Sequence, residues 1–276
     1  MCVSILILTL DEELNLPGCL ESVAWADDIV VLDSYSTDRT VEIARAAGAR
    51  VFQSKLDSWS SRQNWAVQNI DFKHPWIYSH DADERVTPEL AREIQTVVSD
   101  IGRKEVGYRL RFKNMFMGRW IKGASFYPTW VLRLWRPEKV RWVRSVHPNA
   151  IVDGLEGKLQ AHFEHYTFNK GITEWFAKNN FYSLLEAKEC MAIAKDRINW
   201  GGLISRNPTK RRKAFKGLAL HIPARSFLVF CYLYFVRLGF LHGRAGFRYC
   251  VMRFIYEYMI DIKRKELHRR QKGLPV

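Results

Sequence analysis

No Cys-x-x-Cys pair occurs in the sequence: its five cysteines, Cys2, Cys19, Cys190, Cys231 and Cys250, are scattered. That spacing argues against a zinc site or a disulfide framework and predicts a reducing compartment. Long hydrophobic runs are missing too. A bilayer-spanning helix needs about 20 apolar residues, whereas Ser226–Val236 is an uncharged run of eleven between Arg225 and Arg237. The apolar stretch Val3–Leu10 is short, lacks a basic leader and runs into Asp11-Glu12-Glu13, so no signal peptide is expected. Internal repeats, low-complexity tracts and zinc-finger, homeodomain or RNA-recognition signatures are absent. Nucleic acid is therefore not the expected partner.

What is present suits a folded α/β protein. The chain has 276 residues, 47% of them hydrophobic, enough for one α/β domain plus an appended segment. The net charge of +14 is unevenly placed. Residues 1–205 hold 26 basic and 26 acidic side chains, and residues 206–276 hold 17 and 3. A neutral body with a basic tail points to an anionic surface as the tail's partner. Aromatics interleave with the basic residues over Ser226–Val236 and again over Arg244–Lys265, where Phe247, Val251, Phe254, Ile255 and Tyr258 fall at helical spacing. That pattern predicts helices lying on an anionic membrane surface. The basic, proline-containing stretch Arg206–Lys213 reads as a linker or membrane-facing loop.

The first hundred residues alternate between strand and helix patterns. Val3–Leu10, Asp28–Asp33, Arg50–Gln53 and Pro75–His80 are apolar runs expected of buried strands. Between and after them, helices are expected over Glu12–Val23, from the Ser36-Thr-Asp38 cap to Ala47, over Ser60–Ile70, and from Pro88 to Val98. This alternation implies a doubly wound, parallel sheet. Tyr108–Phe112 and Thr129–Trp135 mix polar and apolar residues and predict a mixed-sheet section over 101–170. A helical pattern returns from Gly171 to Asp196.

Ligands of open α/β sheets sit outside the carboxyl ends of the strands. Three strands here end in acids or hydroxyls: Thr9-Leu-Asp-Glu-Glu13, Asp33-Ser-Tyr-Ser-Thr-Asp38 and Asp81-Ala-Asp83. Converging carboxylates repel unless a cation or hydrogen-bond donors lie among them. Hard divalent ions such as Mn²⁺ or Mg²⁺ take carboxylate oxygens and share their shell with phosphates. Asp81 and Asp83 are the expected ligands. No glycine-rich, Arg- or Lys-bearing loop follows the first strand, which counts against a nucleotidyltransferase, the alternative use of such a sheet.

Thr9-Leu-Asp-Glu-Glu13, Val30-Val-Leu-Asp-Ser-Tyr-Ser-Thr-Asp-Arg-Thr40 and Asp81-Ala-Asp-Glu84, in that order and spacing, resemble the signatures of family 2 glycosyltransferases with the GT-A fold. Within the family, the chain is similar to the branch of bacterial lipopolysaccharide core glucosyltransferases and related exopolysaccharide enzymes. Arg62-Gln-Asn64, Gly118-Arg-Trp120, Tyr127-Pro128, Leu132-Arg-Leu134 and Gly239–Phe247 carry this closer likeness. The resemblance implies a Rossmann-like, mostly parallel sheet flanked by helices over 1–205, followed by a basic helical segment over 206–276. It implies inverting transfer of a hexose from a nucleotide-sugar, a UDP-sugar, to a lipid-linked or lipopolysaccharide acceptor at the cytoplasmic face of the inner membrane.

By the same resemblance, Thr9, Leu10, Glu12, Asp33 and Asp38 line the nucleoside pocket, and Asp33 accepts a hydrogen bond from a uracil-type base. Arg62 and Asn64 assist the donor, while Asp81, Ala82 and Asp83 hold metal and diphosphate. Inversion also needs a base for the acceptor hydroxyl. Related enzymes carry a Glu beside a His; here the stretch is Ser145-Val-His-Pro-Asn149, with Pro148 at the expected Glu. His147, or Asp153 or another acid, is then the candidate base, or the chain is a membrane-associated scaffold with altered activity. His162 and His165 form a second polar cluster at a spacing that also suits a strand face.

Overall fold

A computed structural model describes residues 3–56, 58–143, 149–194 and 224–276, with isolated positions between 201 and 222. The chain divides into two compact units: residues 1–120 with 126–170, and residues 121–125 with 171–276. The long helix from Ile172 packs with the C-terminal helix in the second unit.

The first unit is built on β1 (Val3–Thr9), β2 (Ile29–Asp33), β3 (Arg50–Gln53), β4 (Trp76–Asp81), β5 (Glu84–Val86), β6 (Glu105–Phe116), β7 (Arg119–Trp120), β8 (Trp130–Trp135) and β11 (Leu155–His165). These form one sheet in the order β3-β2-β1-β4-β8-β6-β11-β5, with β7 paired to β6. All run the same way along that path except β8 and β5. The expected mostly parallel sheet and its mixed continuation are both present. A separate hairpin joins β9 (Val140–Val143) to β10 (Asn149–Val152).

Helices cover both faces, which is why β1 is buried along its whole length. On one face α1 (Leu16–Val23), α2 (Thr40–Ala46) and α4 (Pro88–Ser99) set Leu16, Leu20, Ala44, Leu90 and Ile94 against Ile5, Ile7 and Phe163. On the other, α3 (Trp59–Asn69) sets Ala66 and Ile70 against Leu6, Leu32 and Trp135. α4 starts as its sequence dictates: Pro88 occupies the first turn and the Thr87 hydroxyl accepts the Leu90 N–H at 3.3 Å. The same hydroxyl donates to the His162 carbonyl at 3.0 Å, fastening α4 to β11. Thr87→Ala is expected to cost about 1–2 kcal/mol, read by urea denaturation, with Thr87→Ser retaining most of the stability.

The second unit contains α5 (Ile172–Ala194), α6 (Arg225–Cys231) and α7 (Gly243–Gln271). α6 runs into a π-helical turn at Tyr232–Val236, breaks at Leu238, and continues through a 3₁₀ turn at Gly239–His242. Gly246 permits the tight return, since a Cβ there would lie 2.0 Å from the Gly239 carbonyl oxygen. The apolar stripe expected on α7 exists but is not the buried side. Ala245, Tyr249, Cys250, Tyr256 and Ile260 face inward, whereas Phe247 and Tyr258 are 47% and 50% exposed.

Candidate active site

The loops after β1 and β2 are laced together by acids. Asp33 is fully buried at the end of β2. One of its oxygens accepts the Thr9 hydroxyl at 2.9 Å and the Ser36 hydroxyl; the other accepts the Ser36 N–H at 2.9 Å and the Gln53 amide at 3.0 Å. Four donors fill a carboxylate's capacity. Burial pushes the Asp33 pKa up, but the hydrogen bonds from Ser36, Gln53 and Thr9 outweigh it and hold the value below the ordinary one. With these four donors Asp33 shapes the 34–36 turn.

Asp38 works similarly. It accepts the Thr40 N–H at 3.0 Å, at the start of α2, and the Glu13 N–H at 3.0 Å. Asp11 accepts the Thr37 N–H at 2.7 Å, and the Glu12 N–H donates to the Thr40 hydroxyl at 2.7 Å. Leu10 and Leu14 are apolar side chains left open on the loop after β1.

Because the folded-state pKa of Asp33 is depressed, its stabilisation is complete above the unfolded value near 3.9 and is lost as pH falls through the folded value. Asp33→Asn is expected to lower the thermal midpoint at pH 7, with the gap to the wild type closing below about pH 4. A gap that stays constant as pH falls through the acid range would assign the loss to packing.

At the end of β4 the two acids of Asp81-Ala82-Asp83 part company. Asp81 accepts the Trp59 indole N–H at 3.1 Å and an Arg133 N–H at 2.6 Å. Arg133 also pairs with buried Glu84, whose carboxylate takes the Asp81 N–H at 3.1 Å. Burial raises the Asp81 pKa, but Arg133 outweighs it and the net shift is downward. A β-bulge explains how an arginine reaches this interior. β8 pairs Leu134 with Tyr108 and Leu132 with Arg109 of the neighbouring strand, so Arg133 is an extra residue turned inward.

Asp83 faces a different partner. Its carboxylate lies 3.3 Å from Nε2 of His165 at the end of β11, and its carbonyl accepts the Tyr166 N–H at 2.8 Å. Burial pushes the His165 pKa down, but Asp83 overcomes this and the net shift is upward. The chain then turns back over the first loop. Asn169 donates to the Asn15 side chain at 2.7 Å, and Lys170 Nζ lies 3.3 Å from Glu12. Glu12 is raised by burial; Asn15 and Lys170 oppose the rise and Asp83 adds to it. Asp83, His165, Glu12 and Lys170 thus meet where β1, β4 and β11 end.

Residues 4–154 match the family model described as glycosyl transferase family 2. The chain belongs to this family. The lipopolysaccharide core biosynthesis glycosyltransferase LpsC of Rhizobium meliloti is 28% identical over 204 residues, covering 70% of this chain and 73% of that protein. An uncharacterised glycosyltransferase of Rickettsia typhi is 26% identical over 212 residues, covering 72% and 71%. Among solved structures, residues 1–349 of TarS from S. aureus superpose with a TM-score of 0.46 at 14% identity, covering 99% and 92%. The chain is accordingly a glycosyltransferase.

Other expected residues of this glycosyltransferase lie elsewhere. Asn64 exchanges two hydrogen bonds with the Trp142 backbone, at 2.8 and 2.9 Å, so it docks α3 onto β9 rather than meeting a donor. The Arg62 Nε–H donates to the Leu56 carbonyl at 3.3 Å. Ala82 is buried, and its carbonyl accepts from Arg85 at 3.0 Å. Asp153 precedes β11, whose first residue Leu155 pairs with Glu105 at the start of β6; its side chain is 86% exposed and 3.5 Å from Lys139. The acidic site lies at the other end of those strands. His147 falls in 144–148, outside the described residues.

Among the described residues, no three His, Cys, Asp or Glu side chains converge as a metal cage. Asp81 is committed to Arg133 and Trp59. Asp83 and His165 remain as one carboxylate and one imidazole, both part-exposed. That donor pair fits a divalent ion that completes its shell with phosphate oxygens and water.

Proposed function

We propose that this glycosyltransferase moves a hexose from a UDP-sugar to a lipopolysaccharide-core or lipid-linked acceptor, with inversion, at an anionic membrane surface. The observation that carries the reading is the meeting of Asp83, His165 and Lys170 beyond the ends of β1, β4 and β11. Asp83 and His165 would hold a divalent ion, which would supply positive charge to the departing diphosphate. Lys170 adds a second positive charge from the protein itself, and Glu12 holds it in place. The 34–36 turn, shaped by Asp33, bounds the nucleoside side. The acceptor hydroxyl attacks the anomeric carbon from the face opposite the diphosphate, and its proton passes to a base, for which His147 remains the candidate. The acceptor class is supported by the likeness to LpsC.

The membrane part of the proposal is supported by the second unit. No single helix among the described residues is long and apolar enough to cross a membrane, and the stretches Arg225–Val236 and Gly239–Gln271 are bent by 70°. Yet Phe235, Val236 and Leu241 are 59–67% exposed, beside Arg244 and Arg248. Exposed aromatics next to arginines suit the interface of an anionic bilayer.

Calorimetry with UDP-, GDP- and dTDP-hexoses, with and without Mn²⁺ or Mg²⁺, tests the donor. Ion-dependent binding of a UDP-hexose is expected, and binding of none sinks the proposal. Flotation with phosphatidylglycerol vesicles is expected to carry the protein, whereas phosphatidylcholine vesicles should leave it behind. Equal recovery from both removes the anionic-surface part.

A further inference from the structure

A ribbon of rings and cations crosses the exposed side of β6, β8 and β11, away from the face that holds His165. Lys158 Nζ lies 5.0 Å from the Trp130 ring, and Arg111 covers the same ring at 5.2 Å. Arg111 also reaches the Tyr127 ring at 5.9 Å, and Tyr127 meets Trp120 edge-on at 5.0 Å. Trp120 carries Lys113 at 4.8 Å and stacks on His162 at 6.3 Å with planes 11° apart. Strand alternation makes the ribbon: Tyr108 and Leu110 of β6, with Leu159 and Phe163 of β11, turn to the core, so Arg111, Lys113, Lys158 and His162 turn outward. None of the ribbon's side chains is fully buried.

The charge on this face is unbalanced. Arg109, at the lower end, is matched by Glu156 at 2.5 Å. Among the described residues, no carboxylate ion pair engages Arg111, Lys113 or Lys158. The acid in register with Lys113 is Glu164, which accepts the Tyr166 hydroxyl at 2.7 Å. His162 senses the surplus: burial, Lys113 and Arg111 together push its pKa down. Cation–π contacts alone would serve to hold neighbouring strands together. They do not call for surplus cations beside part-exposed rings, and that combination suits a sugar. A pyranose lays its apolar face on a ring, while Arg and Lys donate charge-assisted hydrogen bonds to an anionic substituent. Lys113 stands at the same end of β6 as Asn114, the register partner of His165, with its side chain on the opposite face of the sheet.

We infer that this ribbon is a subsite for an anionic glycan, taking the part of the acceptor that lies beyond the attacked hydroxyl. The inference rests on the proposed transfer to a glycan acceptor. Phosphate-bearing and carboxylate-bearing sugars share the chemistry it recognises.

The test titrates the full chain in 0.15 M salt, reading tryptophan fluorescence and heat. The probes are a phosphorylated mannopentaose, its dephosphorylated form, tetragalacturonate and inorganic phosphate. At least one anionic oligosaccharide is expected to bind tenfold or more tighter than both the neutral pentaose and free phosphate. Preference for the phosphorylated sugar or for the galacturonate identifies the anionic group. The double variant Lys113→Gln/Lys158→Gln is expected to lose at least tenfold of that affinity while its Mn²⁺-dependent UDP binding stays within twofold of the wild type. Equal binding of neutral and anionic sugars, or undiminished affinity in the double variant, overturns the subsite. Failure of the wild type to bind UDP sinks the proposed function instead, whatever the sugars do.

Discussion

Asp83→Ala is expected to slow sugar transfer about 10³-fold, since an ion at a departing diphosphate is worth several kcal/mol and each 1.36 kcal/mol is tenfold in rate. The fold should survive the change. The Asp83 carboxylate raises Glu12 and opposes ionisation of Asp81, so its removal relieves like-charge repulsion. A near-wild-type thermal midpoint with an activity loss is therefore the predicted signature. His165→Ala should show the same pairing, and excess Mn²⁺ should restore part of the rate in either single variant but not in the double.

The pH dependence adds an independent readout. His165 has a raised folded-state pKa, so the metal-free Asp83–His165 pair contributes fully below the ordinary histidine value near 6.5 and fades as pH rises through the folded one. An ion makes the opposite demand, because only neutral imidazole is a ligand. Metal affinity should rise over the range in which the pair's own stabilisation declines. Turnover within tenfold of wild type in Asp83→Ala would end the metal assignment.

Sequence patterns exposed the parallel half of the sheet because β1, β2 and β4 are buried on both faces and read as unbroken apolar runs. β11 was not legible. It carries Glu156, Lys158, Gln160 and Glu164 on its outer positions, and only Leu159 and Phe163 betray its inner face. The stretch Glu12–Asn15 looked helical, but Asp11 has φ of 52° and α1 begins at Leu16. In the site, acids at strand ends were visible as a set, while their division of labour was not. It depends on partners distant in sequence: Arg133 lies 52 residues from Asp81, and Lys170 lies 158 from Glu12. The expectation that these acids need an ion between them is only partly met. Hydrogen bonds saturate Asp33, Arg133 neutralises Asp81, and Asp83 lies against His165.

Arg133→Met is expected to destabilise the protein by about 3–5 kcal/mol, the usual cost of breaking a buried ion pair from one side. The arginine side chain is 10% exposed and serves Asp81 and Glu84 at once. His80 is fully buried beside them, with Nδ1 3.3 Å from Glu84. Methionine fills similar space but leaves two carboxylates in the interior without a cation. Arg133→Lys should recover part of the loss, because a single nitrogen, Nη2, serves both acids and an ammonium carries the same charge with three donors. Acidification distinguishes charge from packing. In the wild type, Arg133 lowers the Asp81 pKa against burial, so the pair's stability is lost as pH falls through that depressed value. In Arg133→Met burial and the neighbouring Asp83 are opposed at Asp81 mainly by the Trp59 hydrogen bond, the Asp81 pKa rises, and protonation relieves the strain. The gap between the two proteins in urea midpoint should therefore narrow steadily from pH 7 to pH 4, and adding Glu84→Gln to Arg133→Met should return part of the loss at pH 7. A gap that is constant with pH, unmoved by the second substitution, would mean that Arg133 contributes by packing against Trp59 and Phe163 and not by holding Asp81 in place.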